Sequence, residues 1–143
     1  MFTPKQIIIH HSATKDSGTV SWNAIRKYHV ETNGWQDIGY HAGIELVGDR
    51  YECMVGRAVT IPGAHCEGHN KDSLGFCFVG DYDAVAPNPE MLAVAVDRVL
   101  APWCFRFNIP IDRIYGHRQF SPKTCPGKLF SVEMLREMVR VAL

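Results

Sequence analysis

Residues 5–14, KQIIIHHSAT, decide how the first part of this chain folds. The apolar run from Lys5 to Ile9 predicts a short buried β-strand that ends at His10. Successive residues of a strand face opposite sides, so only one of His10 and His11 can point into a shared site. The strand pattern alone does not choose between the two histidines.

A second informative stretch is residues 115–127, YGHRQFSPKTCPG. His117 and Cys125 are separated by Ser121-Pro122, which breaks any helix, so the segment is predicted to be a loop that can bring both side chains to one ion. Two imidazoles, one from each stretch, and one thiolate would leave the fourth position of Zn²⁺ open for water. That arrangement is typical of a hydrolytic zinc site, whereas a structural site is closed by a fourth protein ligand.

The segments between these stretches alternate between strand and helix patterns. We predict helices over residues 21–33, 88–107 and 131–143, a hairpin of strands 42–46 and 50–54, and further strands at 74–79 and 111–115. Pro102 is expected to kink or interrupt the second helix. The last helix is expected to be capped by Ser131 and to turn four residues inward: Met134, Leu135, Met138 and Val141. The order predicts one α/β domain over residues 1–143, with a central mixed β-sheet flanked by helices on both faces.

Composition excludes several classes of function. The 143 residues are 46% hydrophobic and 21% charged with zero net charge, and they contain no Lys/Arg run, so nothing supports nucleic-acid binding. No apolar stretch approaches the roughly 18 residues of a membrane span, and no signal peptide is visible, so synthesis in the cytoplasm is expected. The chain has five cysteines, an odd number, and their spacing shows no paired pattern, which argues against a disulfide framework. We expect a monomer.

Four segments together resemble the zinc-dependent N-acetylmuramoyl-L-alanine amidases of the type 2 amidase and peptidoglycan-recognition fold, and among them most closely the small phage endolysins. They occur in the family's order and cover nearly the whole chain: IIIHHSAT (7–14), WQDIGYHAGI (35–44), GAHCEGHNKDSLGFCFVGDYD (63–83) and YGHRQFSPKTCPG (115–127). The resemblance implies that one Zn²⁺ lies in a surface groove at the strand ends, held by His10, His117 and Cys125. It assigns the ligand role to His10 and leaves His11 at a variable position.

The resemblance also implies roles for residues that do not ligate the metal. It places Tyr40 beside the zinc-bound water and Lys123 within reach of the scissile carbonyl oxygen, where the ammonium would stabilise the oxyanion. His65 and Asn70 lie in a Gly-rich loop that lines the substrate groove in the family. Substrate contact is expected of His65, and Asn70 is expected to hold the loop through its backbone.

The implied activity is hydrolysis of the amide between N-acetylmuramic acid and L-alanine in peptidoglycan. The setting it suggests is a phage or prophage endolysin, and a cytoplasmic amidase that recycles wall fragments would have a similar sequence. The same residues are also compatible with a peptidoglycan-binding module without catalysis and with a structural zinc site. Some phage members of the family also bind an RNA polymerase, which no sequence feature here tests. His41 is interpreted as structural, and His29 and His69 are expected at the surface.

Overall fold

The computed structural model of the chain describes residues 1–14 and 21–143. Its centre is a five-stranded mixed sheet in the order β3-β2-β4-β1-β5. The strands are β1 (Gln6–His11), β2 (Ala42–Val47), β3 (Arg50–Val55), β4 (Ser73–Phe78) and β5 (Ile114–Gly116). The α-helices are α1 (Trp22–Lys27), α2 (Pro89–Ala95), α3 (Ala101–Phe107) and α4 (Val132–Ala142). The predicted mixed sheet flanked by helices is confirmed.

Strand β1 occupies the interior of the sheet and determines where the site forms. It runs parallel to β4 on one side and to β5 on the other, and all six of its residues are buried. A strand buried on both faces is an almost continuous apolar run, which is what the sequence shows before His10. Strand β2 is parallel to β4 and antiparallel to β3, with which it forms the predicted hairpin.

The two faces of the sheet are covered differently. Alternation along β1 sends Ile7 and Ile9 into the larger core, which contains the buried residues of α2, α3 and α4. Ile8 and His10 therefore face the other side, where Trp22 of α1 packs with Cys77 of β4. His10 thus emerges on the thinly covered face of the sheet.

The α-helical hydrogen-bond pattern between Pro89 and Phe107 is interrupted just before Pro102, where the sequence predicted a kink or an interruption. A π-helical turn, Val96–Leu100, joins α2 to α3, and the Ala101 N–H closes it by donating to the Val96 carbonyl. The wider turn precedes the proline at the first turn of α3, where its missing N–H is tolerated. A second π turn, Tyr28–Thr32, extends α1.

Helix α4 begins after Ser131, whose hydroxyl accepts the Met134 N–H as predicted. The expected inward face is partly wrong: Leu135 is fully buried, but Met134 is 49% exposed and Val141 is 77% exposed. The helix packs at the sheet edge along a narrow stripe, so residues beside that stripe remain in solvent.

The strand expected at residues 111–115 is shorter and shifted. Ile111–Arg113 form a 3₁₀ turn, and only Ile114–Gly116 pair with β1. Within the described ranges, 1–14 and 21–143, no helix combines the length and apolar character needed to cross a bilayer.

Candidate active site

Two neighbouring strand ends bring His10 and His117 together. Ile9 of β1 is paired with Gly116 of β5, so His10, which is still within β1, lies beside His117, which follows the end of β5. Their ring centroids are 4.6 Å apart. A 3₁₀ turn at His117–Gln119 then directs the chain into the loop that carries Cys125.

Cys125 completes a group that could hold a metal ion. Its Sγ lies 3.8 Å from His10 Nδ1 and accepts the His11 backbone N–H at 3.4 Å. One ligand atom from each of His10, His117 and Cys125 lies within 4.8 Å of the others. Within residues 1–14 and 21–143, no other group of three His, Cys, Asp or Glu side chains meets this criterion.

The loop from His117 to Gly127 is closed by Arg118. Its backbone N–H donates to the Cys125 carbonyl at 2.7 Å. Its guanidinium donates to the carbonyls of Gly127 and Phe130 at 2.8 and 2.9 Å. One arginine therefore ties the loop start, next to His117, to the segment that follows Cys125.

His11 is directed away from this group, as alternation along the strand requires. Its Nδ1 accepts the Tyr82 backbone N–H at 3.1 Å on the other face of the sheet. The structure therefore places the imidazole of His10, and not that of His11, beside His117 and Cys125.

Burial sets the protonation states of the three side chains. Burial is the main cause that lowers the pKa of His10 well below its usual value, and the neighbouring His65 and His117 lower it further. Burial also lowers the pKa of His117, and the positive charge of Lys123 adds to this effect. Both imidazoles are therefore neutral near pH 7, the form that binds metals. Burial raises the pKa of the Cys125 thiol to about 11, and the His11 N–H and Lys123 oppose that rise. A metal ion must displace the thiol proton as it binds.

Tyr40 lies against the metal-ligand group but not within it. Its ring is 5.1 Å from the His10 ring, centroid to centroid, and it lies near the Cys77 thiol. Burial is the main cause that raises the pKa of Tyr40 well above its usual value, and the thiols of Cys77 and Cys125 raise it further. The phenol therefore remains protonated and can donate a hydrogen bond. Gly39 precedes it in contact with the Ala64 carbonyl, where a Cβ would clash at 2.2 Å.

Lys123 is exposed on the rim of the groove. Its positive charge lowers the pKa of both His117 and Cys125, which places the ammonium near the two loop ligands. No hydrogen bond within the described residues holds the ammonium, so it is available to a ligand in the groove.

The Gly-rich loop contributes His65 and Asn70. His65 Nδ1 is 2.9 Å from His10 Nε2, and Asn70 Oδ1 accepts the backbone N–H groups of His65 and Cys66, both at 2.9 Å.

His41 bridges two segments, because its Nδ1 accepts the Gly75 N–H and its Nε2 contacts the Ile61 carbonyl at 2.8 Å.

A groove of about 720 Å³ runs over these residues. Its wall also includes His29 and Asp83, to which the sequence analysis gave no role in the groove. His29 is half-buried, and its Nδ1 accepts the Gly39 N–H at 3.0 Å. His69 is also half-buried, with 35% of its side chain exposed and its ring 4.1 Å from that of Phe120, centroid to centroid. Both histidines therefore lie at the surface as expected, partly covered by their neighbours.

Asp83 links the groove wall to the ligand loop. Its Oδ1 accepts the Lys128 N–H at 2.8 Å, and its Oδ2 accepts the Thr124 hydroxyl at 3.0 Å. The two contacts span 45 and 41 residues of sequence, so no local pattern could have revealed them.

Comparison with known proteins agrees with this geometry. The family profile described as N-acetylmuramoyl-L-alanine amidase matches residues 2–128, a range that contains every metal-ligand candidate. The chain belongs to this amidase family.

Amidase-family relatives include both phage and animal proteins. The endolysin of Enterobacteria phage K11 is 36% identical over 127 residues, which are 85% of this chain and 80% of that protein. Peptidoglycan-recognition protein SC1a of Drosophila melanogaster is 35% identical over 126 residues, which are 84% of this chain and 66% of that protein.

Solved structures of the amidase family share the fold. Wild-type Drosophila PGRP-LB has a TM-score of 0.75 at 32% identity, covering 91% of this chain and 79% of that chain. The amidase LysC from Clostridium intestinale has a TM-score of 0.82 over 97% of this chain and 87% of that chain, and at 23% identity it supports the fold alone.

The donor set fits zinc better than other common metals. Two neutral imidazoles and one thiol suit Zn²⁺, whereas Mg²⁺ and Ca²⁺ prefer sets of oxygen ligands. No carboxylate belongs to the group of three.

Proposed function

We propose that this chain is a zinc-dependent N-acetylmuramoyl-L-alanine amidase, which hydrolyses the amide between N-acetylmuramic acid and L-alanine in peptidoglycan. The observation that carries the proposal is the group of His10, His117 and Cys125 at the floor of an open groove. Three protein ligands are the number that catalytic zinc sites use, with the fourth position left for water or substrate. Zinc bound there supplies an acidified water and a Lewis acid for the amide carbonyl.

The surrounding residues provide binding and charge stabilisation. The neutral Tyr40 hydroxyl is a hydrogen-bond donor next to His10, and the Lys123 ammonium is an exposed positive charge in the lining of the same groove. Negative charge develops on the amide oxygen in the tetrahedral transition state, and donors aimed at that oxygen lower the barrier. Both residues therefore act on the transition state and leave metal binding to the other three.

The setting we propose is a phage or prophage endolysin. The phage K11 and Klebsiella phage KP32 proteins, both named endolysin, are 36% and 35% identical to this chain, which covers 80% of each. The Drosophila relatives are recognition proteins, and this similarity favours a binding module as the second candidate. The presence of all three ligand side chains favours the enzyme.

The test is digestion of purified peptidoglycan by the zinc-loaded protein. We expect about one zinc per chain and release of stem peptides with a free L-alanine amino terminus, identified by mass spectrometry, from intact glycan strands. Cys125→Ser is the matched control, since it changes one ligand atom and should release no peptide. New reducing sugar ends would indicate a glycosidase, and binding without release would indicate a recognition module.

A further inference from the structure

His10 is the first member of a chain of hydrogen bonds that runs away from the metal-ligand group. His10 Nε2 lies 2.9 Å from His65 Nδ1, and His65 Nε2 lies 3.3 Å from the Ser73 hydroxyl oxygen. The Ser73 hydroxyl donates to the His69 backbone carbonyl at 2.6 Å. The chain ends at that carbonyl, which can only accept.

The final carbonyl fixes the direction of every earlier bond. Because the Ser73 hydroxyl uses its one proton on the carbonyl, its oxygen accepts from His65, whose proton must then be on Nε2. A neutral imidazole has one N–H, so His65 Nδ1 is bare and accepts from His10. His10 therefore carries its proton on Nε2, and its bare Nδ1 faces the Cys125 sulfur 3.8 Å away.

The structure holds His65 in place on several sides. A Cβ at Gly75 would lie 2.6–2.8 Å from three atoms of the His65 ring, so only glycine lets the imidazole lie on β4. A Cβ at Gly63 would approach the same ring to 2.8 Å. Asn70 fixes the backbone by accepting the His65 N–H. This packing sets the orientation of the ring that His10 contacts.

We propose that His65 is a positioning residue that holds His10 in the tautomer and orientation needed to bind the metal through Nδ1. The inference rests on the metal site of the proposed function and assigns His65 a role other than hydrogen bonding to substrate. Both ring nitrogens of His65 are already engaged, one with His10 and one with Ser73, which leaves neither for a ligand in the groove. Partners behind a metal-binding histidine commonly fix its tautomer in this way.

The first test reads the tautomers directly. Long-range ¹H–¹⁵N correlation spectra of the metal-free protein should show His10 and His65 both protonated on Nε2. After zinc is added, the His10 Nδ1 resonance should shift with coordination while Nε2 keeps its proton. A spectrum with His65 protonated on Nδ1, or with His10 bound through Nε2, overturns the proposal.

The second test measures zinc affinity by competition with a chromophoric chelator. His65→Ala should weaken zinc binding by about 10–100-fold, the usual loss for such a partner. His65→Asn places a carbonyl oxygen near the position of Nδ1 and should restore most of the affinity. His69→Ala is the matched control. It removes an imidazole that contacts Gln6 and Phe120, and it keeps the backbone carbonyl at which the hydrogen-bond chain ends. Cobalt-loaded His65→Ala should also show altered visible bands, because the ligand geometry relaxes.

The outcomes separate this inference from the proposed function. Zinc affinity and cobalt spectrum unchanged in His65→Ala, with a raised KM, would mean that His65 contacts substrate only and would overturn the inference. If His65→Ala does not fold, zinc affinity and tautomers are measured in His65→Asn and Ser73→Ala instead. Tautomer populations in Ser73→Ala equal to those of the wild type would contradict the proposed hydrogen-bond chain. Wild-type protein that binds zinc through the predicted tautomers but releases no peptide would refute the amidase activity and leave this inference standing.

Discussion

His10 reaches the metal-ligand group from a strand in which every residue is buried, whereas His117 and Cys125 are half-buried on a loop most of whose residues are half-buried or exposed. The strand side is held by hydrogen bonds to β4 and β5 and by the His65 chain behind the imidazole. The loop side is held by a few longer-range contacts, chiefly those of Arg118 and Asp83.

The difference indicates how the site divides its tasks. A buried strand position has little freedom to lose on metal binding, so the His10 side is already ordered before the ion arrives. The loop is held by fewer contacts, so we expect it to adjust to the ion and to substrate, and it carries the exposed Lys123. Variants on the strand side should therefore affect metal binding most, and those on the loop rim should affect turnover most.

Removal of a ligand should have the largest effect. His10→Ala should lose bound zinc and reduce the amidase rate by at least on the order of 10³, because the metal supplies several kcal/mol of transition-state stabilisation. His11→Asn is the matched control, since its carbonyl oxygen can still accept the Tyr82 N–H and its side chain faces the other core. Zinc content by atomic emission and peptide release are the measurements. Zinc loss in His11→Asn with retention in His10→Ala would show that the strand register is wrong.

Turnover should be the most sensitive quantity at the loop rim. Lys123→Ala and Tyr40→Phe should keep zinc and reduce kcat by on the order of 10²–10³, the usual loss for one donor to a developing oxyanion. The Lys123 variant should fall in the lower half of that range, because the metal remains as a second electrophile. Saturating-substrate rates, zinc content and Tm are measured together. A large fall in Tm for Tyr40→Phe would instead assign the hydroxyl a structural role in the core beside Cys77.

The strand side was the more predictable half from sequence. The apolar run before His10 predicted β1, and alternation separated the two histidines, because both follow from local geometry. Most boundaries were displaced by one or two residues, and the start of β5 by three. Helix α4 turned a narrower stripe inward than its apolar positions suggested, which left Met134 and Val141 exposed. Burial depends on what the rest of the fold brings against a helix, and periodicity does not carry that information.

The contacts that hold the site were not predictable from local pattern. His65 and Ser73 are eight residues apart, but their meeting with His10 depends on the pairing of β1 with β4. The interruption before Pro102 takes the form of a π turn, and no residue there marks such a turn. The sequence gives the types of the residues, but which of them contact one another depends on how the strands pair in three dimensions.

The pH dependence of stability should come more from the strand side of the site, through His65, than from the loop side. Burial lowers the pKa of His65 to about 3, so the folded chain keeps it neutral at pH 5 while the unfolded chain protonates it. The unfolded state then binds more protons, and stability falls as pH drops below about 6.5. For metal-free protein the His65 contribution to the free energy of unfolding should decrease by about 2 kcal/mol between pH 7 and pH 5. Urea titrations at both pH values measure it, with His65→Asn as control. An equal pH difference in the two proteins would contradict the assignment.

The smallest effect is expected at Asp83, which anchors the ligand loop without touching a ligand. Asp83→Ala removes the acceptors of the Lys128 N–H and the Thr124 hydroxyl, so residues 124–128 should open more often. Zinc affinity should then weaken by less than about tenfold, a smaller loss than for a partner in direct contact with a ligand. Thr124→Val removes one of the two bonds at nearly constant shape and should give a smaller change of the same sign. Hydrogen exchange distinguishes the two sides of the site: the Lys128 amide should exchange faster in both variants, while amides of β1 keep their wild-type rates. Equal acceleration in β1 would mean that the strand and the loop open as one unit, and the division of the site into an ordered side and an adjustable side would be wrong.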